Sequence, residues 1–318
     1  MDCLVSVIIP TRNRPLLVQR AVKSALGQTL KDIEVIVVID GIDPETLAEL
    51  AKLSDIRLNV IERPSNSGAA AARNAGVSHA RGEWIAFLDD DDEWLPQKLE
   101  RQLLAAQSSP HQFPIVTCYL IARRPEGDTI WPRRLPAASE PLSEYLFVRN
   151  TLFQGEGVIQ TSTLLTPKAL LQKVPFASNL ERHQDWNWLL RVSQLEEVGI
   201  EFIGEPLSIW YSGEKRPSVS KSHNWQYSLN WIQAHRDLVT PRAYSSFILA
   251  EVSSRAALAC EWNAFLPLLW ESVRFGKPRL ADLGLYLGMW LIPQEVRRSL
   301  RALLVDQRTH NDDAEYST

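Results

Sequence analysis

At 318 residues, 45% hydrophobic and 23% charged, the chain has the make-up of a globular protein with one large domain and an appendage, or with two domains. A net charge of −4 excludes a whole-chain basic surface for nucleic acid. Cys3, Cys118 and Cys260 lie far apart and the six histidines form no HExxH, which excludes a zinc pattern and fits buried thiols in a reducing compartment.

The opening Met1-Asp2-Cys3 has no basic n-region, and the apolar run ending at Ile9 is short for a signal peptide. Leu4 to Ile9 reads as a buried strand, and Pro15 opens a helix running to about Gln28. Ile33–Ile39 is a second strand and Pro44–Leu53 a second helix. Ile56–Ile61 is a third strand, and Gly68–Ala80 an alanine-rich helix. Trp84–Leu88 is a fourth strand, Pro96–Gln107 a helix, and Ile115–Ile121 a fifth strand. Apolar strands without alternation, separated by helices, predict an α/β fold with a mostly parallel sheet covered on both faces. From Arg123 to about Glu140 the pattern stops, which predicts a long loop suited to a lid or binding segment. Sheet-like texture returns at Val158–Leu165 and Ile200–Tyr211, around a helix at Asp185–Leu195. After Trp225 about five helices follow, broken near Pro241, Pro267, Pro278 and Pro293. This predicts an α/β domain at 1–222, a helical region at 223–306 and a loose tail at 307–318. The longest uncharged run there, Leu283–Ile292, is ten residues, half of the ~20 a membrane span needs.

The fourth strand runs straight into Asp89-Asp90-Asp91-Asp92. Four adjacent carboxylates repel one another, and a hard divalent cation such as Mg²⁺ or Mn²⁺ relieves the conflict. A helix cap next to Pro96 and a solvated acidic turn are the plainer readings. The other βα loops also carry polar groups. Thr11 and Asn13 follow the first strand at Pro10 and can hold a planar base. Asp40-Gly41 ends the second strand, where the carboxylate can accept from a base or ribose, or simply make a turn. In the third loop Gly68 allows close backbone approach, and Arg73, one helical turn further on, can reach a diphosphate. Each match alone is weak; all four at the carboxyl edge of one sheet point to a nucleotide diphosphate. There is no GxxxxGK[ST] and no GxGxxG.

In these segments the chain resembles the family 2 glycosyltransferases of GT-A fold. The matching stretches are Val7-Ile8-Ile9-Pro10-Thr11-Arg12-Asn13, Val37-Val38-Ile39-Asp40-Gly41, Asn66-Ser67-Gly68 through Arg73-Asn74-Ala75-Gly76, and Phe87-Leu88-Asp89-Asp90-Asp91-Asp92-Glu93-Trp94-Leu95-Pro96. A weaker match continues through Gln160-Thr161-Ser162-Thr163 to His183-Gln184-Asp185-Trp186. The resemblance implies an inverting transferase that uses a nucleotide-sugar donor, foremost a UDP-sugar, with Mg²⁺ or Mn²⁺. It places Pro10, Thr11 and Asn13 in the base pocket, Asp40 on the base edge and Arg73 at the diphosphate. Asp89 to Asp91 become the DxD-type element, with Asp91 as metal ligand and Asp90 or Asp89 on the ribose or donor sugar. Asp185 falls at the catalytic base, although it also suits the N-cap of a helix. His183 is a second, weaker base.

Two positions depart from the family pattern: Ile39 stands where a first acidic residue is usual, and Gln184 where a Glu precedes the base. The absence of QxxRW disfavours a processive synthase. Gln160–Thr163 reads as an acceptor wall or an ordinary strand. Trp131 either stacks on an acceptor sugar or packs at the surface. Leu280, Leu283, Leu287, Trp290 and Leu291, followed by Arg297, Arg298 and Arg301, suit either a core helix or an interfacial one. The expected partners are the donor and a saccharide or lipid-linked acceptor, as in surface polysaccharide or glycolipid assembly, with no nucleic acid. The expected location is the cytoplasm, with peripheral contact to the inner face of the membrane through the C-terminal helices. The alternatives are a nucleotidyltransferase, which would need a Gly-rich loop with Lys or Arg where this chain has only Arg12 and Arg14, and a non-catalytic nucleotide-sugar-binding protein.

Overall fold

The computed structural model describes residues 3–150, 156–212, 224–292 and 296. By contacts the chain divides into two compact units, Met1–Pro136 with Gly157–Ser220, and Ala137–Glu156 with Lys221–Thr318. The expected boundary at 222/223 and the expected tail at 307–318 lie outside the described residues.

In the first unit the chain alternates β1 (Val5–Thr11), α1 (Pro15–Leu26), β2 (Ile33–Ile39), α2 (Pro44–Leu50), β3 (Leu58–Glu62), α3 (Ala69–His79) and β4 (Trp84–Phe87). Then come β5 (Glu93–Trp94), α4 (Lys98–Ser108), β6 (Phe113–Arg123) and β7 (Thr129–Trp131). After α5 (Leu142–Phe147), which belongs to the second unit, the first resumes with β8 (Leu165–Pro167), α6 (Lys168–Lys173), α7 (Gln184–Val192) and β9 (Val198–Tyr211).

The strands among the described residues form one sheet, ordered β3-β2-β1-β4-β8-β6-β9-β5, with β7 pairing β6. β1, β2, β3 and β4 are parallel, and β6 runs parallel to β9; β5, β7 and β8 pair antiparallel. All seven residues of β1 and of β2 are buried, and the two strands are apolar except for Thr11 and for Ser6 and Glu34, which hydrogen-bond each other. The chain leaves β1 for β2 on one side and returns to β4 on the other. The crevice beyond the carboxyl ends of β1 and β4 is therefore the switch point where such sheets bind ligands. Gly76 fixes α3 against this region: a Cβ there would lie 2.5 Å from Ile8 Cγ2. Only glycine lets the helix, and Arg73 one turn earlier, sit this close to β1.

Several expected elements differ. β3 begins at Leu58, not Ile56, because Asp55 accepts from the Arg57 backbone and guanidinium and holds a turn that leaves Ile56 fully exposed. The helix expected from Pro96 begins at Lys98, and Glu93–Trp94, for which no strand was expected, pairs with β9. The loop expected over 123–140 contains β7. Trp131, read as either a sugar-stacking ring or a surface-packed one, is buried in a small cluster with Leu120 and Ala122 and lies 5.3 Å from the Trp210 ring. Its face is already covered, so an acceptor-stacking role is excluded in this conformation. Cys118 is buried as expected and Cys3 partly so, but Cys260 is exposed.

Lys98, the first residue of α4, is fully buried. Its Nζ donates to Gln102 Oε1 at 2.6 Å and lies 4.0 Å from the centre of the Trp94 ring. Burial pushes the ammonium down to about 8 from the usual 10.5. The folded protein thus holds this proton less tightly than the unfolded chain, and the cost of the buried cation disappears as pH rises from 8 to 10.5. Wild-type protein is expected to gain roughly 3 kcal/mol over Lys98→Met across that window. Denaturant melts at pH 7.5, 9 and 10.5 test this, and parallel profiles for the two proteins would refute it.

The second unit is helical: α5, α8 (Trp225–Ala234), α9 (Pro241–Ser246), a π turn at Phe247–Val252, α10 (Ser253–Leu258), α11 (Phe265–Phe275) and α12 (Leu280–Leu291). α5 joins it because Phe147 packs edge-on against Trp231 and Phe247, and Ser143 Oγ accepts from the Thr240 amide at 3.2 Å. Pro267 does not break a helix; it occupies the first turn of α11, where a missing N–H costs nothing. No described helix is long and apolar enough to cross a membrane.

Candidate active site

Thr11, at the end of β1, donates from Oγ1 to Asp90 Oδ2 at 2.8 Å. Arg14, at the start of α1, donates from Nη1 to Asp90 Oδ1 at 2.8 Å and to Asp91 Oδ2 at 3.0 Å. Arg20, two turns along α1, donates to the Asp91 carbonyl at 2.8 Å and pairs with Glu93 at 3.3 Å. The repulsion within the quartet is thus met partly by arginines of the first helix. The sequence reading missed these contacts; the available signal was that four adjacent carboxylates require counter-charge and Arg14 directly follows the first loop. Burial pushes the Asp90 carboxyl up to about 6, against the pull of Arg14 and of the Thr11 hydrogen bond.

Asp92 faces inward. Its Oδ2 accepts from Ser162 Oγ at 2.6 Å and from Gln160 Nε2 at 3.1 Å, and Ser162 Oγ also accepts from the Asp89 amide at 3.1 Å. Trp94 Nε1 donates to the Ser162 carbonyl at 2.7 Å. One hydroxyl therefore clips both ends of the acidic turn. Thr161–Thr163 is a short 3-10 turn rather than a strand, and Thr161, Ser162 and Thr163 are buried. The ordinary strand offered as one reading is thus a turn, whose Ser162 and Gln160 brace the quartet.

Arg73 and Asp89 join this corner to α7. Arg73 Nη2 donates to Asp89 Oδ1 at 2.6 Å, and Nη1 donates to Gln184 Oε1 at 3.1 Å. The guanidinium is buried, so these charge-assisted bonds lie in a low-dielectric setting. Arg73, expected at the diphosphate, here ties the end of β4 to the residue before Asp185. Asp185 lies in the first turn of α7 and accepts from the Trp186 amide at 2.9 Å. It is not the helix cap: that position is His183, in a left-handed conformation at φ 61° and stacked on Trp186. Enclosure by protein raises the Asp185 carboxyl above its usual range. The Trp186 hydrogen bond and Arg73 oppose the rise and the Asp89 charge adds to it.

The first two loops are cross-braced. Asp43 caps α2 through the Thr46 amide and also accepts from the Asn13 amide at 2.6 Å, holding Asn13 at φ 53°. Asp40 accepts from Arg63 at 2.6 Å, from the Ser67 amide, and from the Gly68 amide at 2.7 Å. Its role in the fold is to shape the 63–68 loop, and a base N–H would have to share these oxygens. Gly68 adopts φ 88° with open space where a side chain would stand, consistent with close approach of a ligand. Pro10 is buried within β1, one residue before Thr11.

Among the described residues no group of three or more His, Cys, Asp or Glu side chains can hold a metal alone. The carboxylates of Asp91 and Asp89 reach solvent, at 17% and 28% exposure, while Asp90 and Asp92 are turned inward. A pair of hard, partly open carboxylates suits Mg²⁺ or Mn²⁺ bound with substrate phosphates completing the shell.

The chain is similar to known proteins in sequence and in fold. The chain is 29% identical over 259 residues to the amylovoran biosynthesis glycosyltransferase AmsB of Erwinia amylovora, covering 76% of this chain and 83% of that protein. Its fold resembles S. aureus TarS 1-349 in complex with UDP-GlcNAc, at TM-score 0.55 and 18% identity, over 92% of this chain and 82% of that one. It resembles equally the mannosyltransferase PcManGT of Pyrobaculum calidifontis in complex with GDP-Man and Mn²⁺, at TM-score 0.55 and 18% identity, over 93% and 82%. These likenesses establish the GT-A fold. The model of glycosyl transferase family 2 matches residues 6–174, more than half of the chain and all of the loops that carry Thr11, Asp40, Arg73 and the aspartates. The chain belongs to glycosyl transferase family 2.

Proposed function

We propose that this chain is an inverting glycosyltransferase moving a sugar from a nucleoside-diphosphate donor, foremost a UDP-sugar, to a saccharide hydroxyl in surface polysaccharide or glycolipid assembly. The observation that carries this reading is the bridge from Asp89 through Arg73 to Gln184. It joins the acidic end of β4 to the residue before the half-buried Asp185, the two groups that a direct displacement would use together. The sugar-nucleotide complexes and the polysaccharide relative described above support the donor and acceptor classes.

In this reading the loops ending β1 and β2, with Pro10, Thr11, Asn13 and Asp40, frame the base. Gly68 lets the backbone approach the donor. Asp91, with Asp89 beside it, would hold Mg²⁺ or Mn²⁺, which would supply positive charge to offset that on the diphosphate leaving group. Asp89 or Asp90 orients the ribose or the donor sugar, and Arg73 keeps Asp89 in place. Asp185 takes the proton from the acceptor hydroxyl as its oxygen attacks the anomeric carbon. The bond from that carbon to the diphosphate oxygen breaks on the opposite face, which inverts the centre. The reading places the enzyme in the cytoplasm, where a lipid-linked acceptor would be met at the inner membrane face.

Calorimetry with UDP tests it. UDP binding is expected to tighten with Mn²⁺ in the wild type and to be insensitive to Mn²⁺ in Asp91→Asn. The variant should lose roughly 3 kcal/mol of transition-state stabilisation in kcat/KM, about a hundredfold or more. Equal binding with and without Mn²⁺ in the wild type would overturn the metal assignment. No binding of any nucleoside diphosphate, and no donor hydrolysis in a screen of nucleotide sugars, would overturn the function.

A further inference from the structure

The last two helices of the second unit are apolar on the side that faces water. In α12 the residues turned inward are Asp282, Tyr286 and Trp290, whereas those turned outward include Leu280, 88% exposed, Leu287, and Leu291, 67% exposed. The outward side of this helix carries no polar side chain at all; Ala281 and Gly284 complete it. α11 is inverted in the same sense. Its buried positions are Leu268 and the polar Ser272, while Leu266 is 70% and Trp270 59% exposed, and Val273 is exposed too. The start of α11 lies beside the second half of α12: Phe265 packs on Tyr286 and Trp290, and the half-exposed Trp262 packs on Trp290. A surface helix in water normally shows polar residues outward, so this face is built to be covered.

The charges around it indicate by what. Both acidic residues of these helices are engaged inward: Glu271 accepts from Tyr244 and Gln233, and Asp282 pairs with Arg279 and caps α12. The exposed charges at the junction of the two helices are Arg274 and Lys277, both positive. Between Ile292 and Val305 the sequence adds Arg297, Arg298 and Arg301 against Glu295, although that stretch, apart from Val296, lies outside the described residues. In a chain of net charge −4 this is a local reversal of sign. Apolar side chains and indole rings with exposed cations at the helix junction complement an anionic bilayer surface. At ~1.5 Å per residue neither helix can cross a hydrocarbon core of ~30 Å. Both must lie flat at the boundary between headgroups and acyl chains.

We propose that α11 and α12 form a docking face for an anionic lipid bilayer, with Leu266, Trp270, Leu287 and Leu291 entering the interface and Arg274 and Lys277 meeting the headgroups. This face is independent of the donor chemistry, and vesicle binding and donor hydrolysis keep the two apart. The full chain is sedimented with vesicles of phosphatidylethanolamine and phosphatidylglycerol, and with vesicles of phosphatidylcholine. Binding to the anionic vesicles is expected, with a loss of roughly tenfold or more in Leu287→Glu/Leu291→Glu and in Trp270→Ser. A loss of about tenfold in Arg274→Ala/Lys277→Ala, and weakening by salt, are also expected. All substituted side chains are exposed, so unchanged circular dichroism and unchanged donor hydrolysis in the absence of lipid should accompany the loss. Absence of binding to the anionic vesicles, or equal binding by all variants, overturns the proposal. So does a wild-type dimer that Leu287→Glu/Leu291→Glu dissociates without any vesicle binding, because the cover would then be a second copy of this chain.

Discussion

Asparagine in place of Asp185 is expected to lower kcat for sugar transfer by about 10²–10⁴-fold while leaving UDP affinity nearly unchanged. The substitution keeps the shape of the side chain, and the amide oxygen can still accept from the Trp186 amide, so the start of α7 is retained. What is lost is the capacity to take a proton. The enclosed position and the neighbouring Asp89 raise the carboxyl above its usual range, which brings its basicity closer to that of a useful general base. The sign follows: as pH falls through the raised pKa, Asp185 takes up a proton and the base is lost. Wild-type kcat/KM should therefore show an acid limb above the ordinary aspartate range, and the limb should vanish in Asp185→Asn. Steady-state kinetics against pH check this. Transfer by the variant at the wild-type rate would remove Asp185 from the mechanism and return attention to His183.

Arg73→Met is expected to cost roughly 2–4 kcal/mol of stability and most of the activity together. Methionine keeps the stem but removes the donors to Asp89 and Gln184. Asp89 then stands beside its acidic neighbours without its 2.6 Å partner, and Gln184 no longer anchors α7 to the quartet. Because Asp89 is 28% exposed, water recovers part of the loss, which keeps the estimate below that for a fully buried pair. Arg73→Lys separates the two effects. An ammonium can satisfy Asp89 but lacks the planar fork that reaches Gln184 as well, so stability should recover more than kcat. Thermal melts and kinetics on the three proteins decide. If Arg73→Lys restored stability and kcat equally, the bridge to Gln184 would be irrelevant to the reaction.

The half of the sheet around β1 was legible in the sequence because buried parallel strands leave a local mark: Val35 to Ile39 is apolar at every position. The edge was less so. Ile56 carries the composition of a strand and stands in a turn, since the Asp55–Arg57 hydrogen bonds outweigh propensity. Ser162 and Thr163 also suit a strand, yet the hydroxyls are committed to Asp92, the Asp89 amide and Thr117, and the chain tightens into a 3-10 turn.

By itself the sequence determined the layered α/β order, the placement of polar groups at the ends of successive strands, and the family through Pro10 to Asn13, Asp40, Gly68 to Gly76 and the four aspartates. Only the tertiary structure decided which carboxylate faces which partner. Arg14, 76 residues before Asp90, Ser162, 70 after Asp92, and Gln184, 111 after Arg73, set those roles. The physical reason is range: periodicity and turn chemistry act over a few neighbouring residues. An ion pair across the sheet depends on how far α1, α3 and α7 approach the strand ends, which is fixed by packing such as that of Gly76 on Ile8.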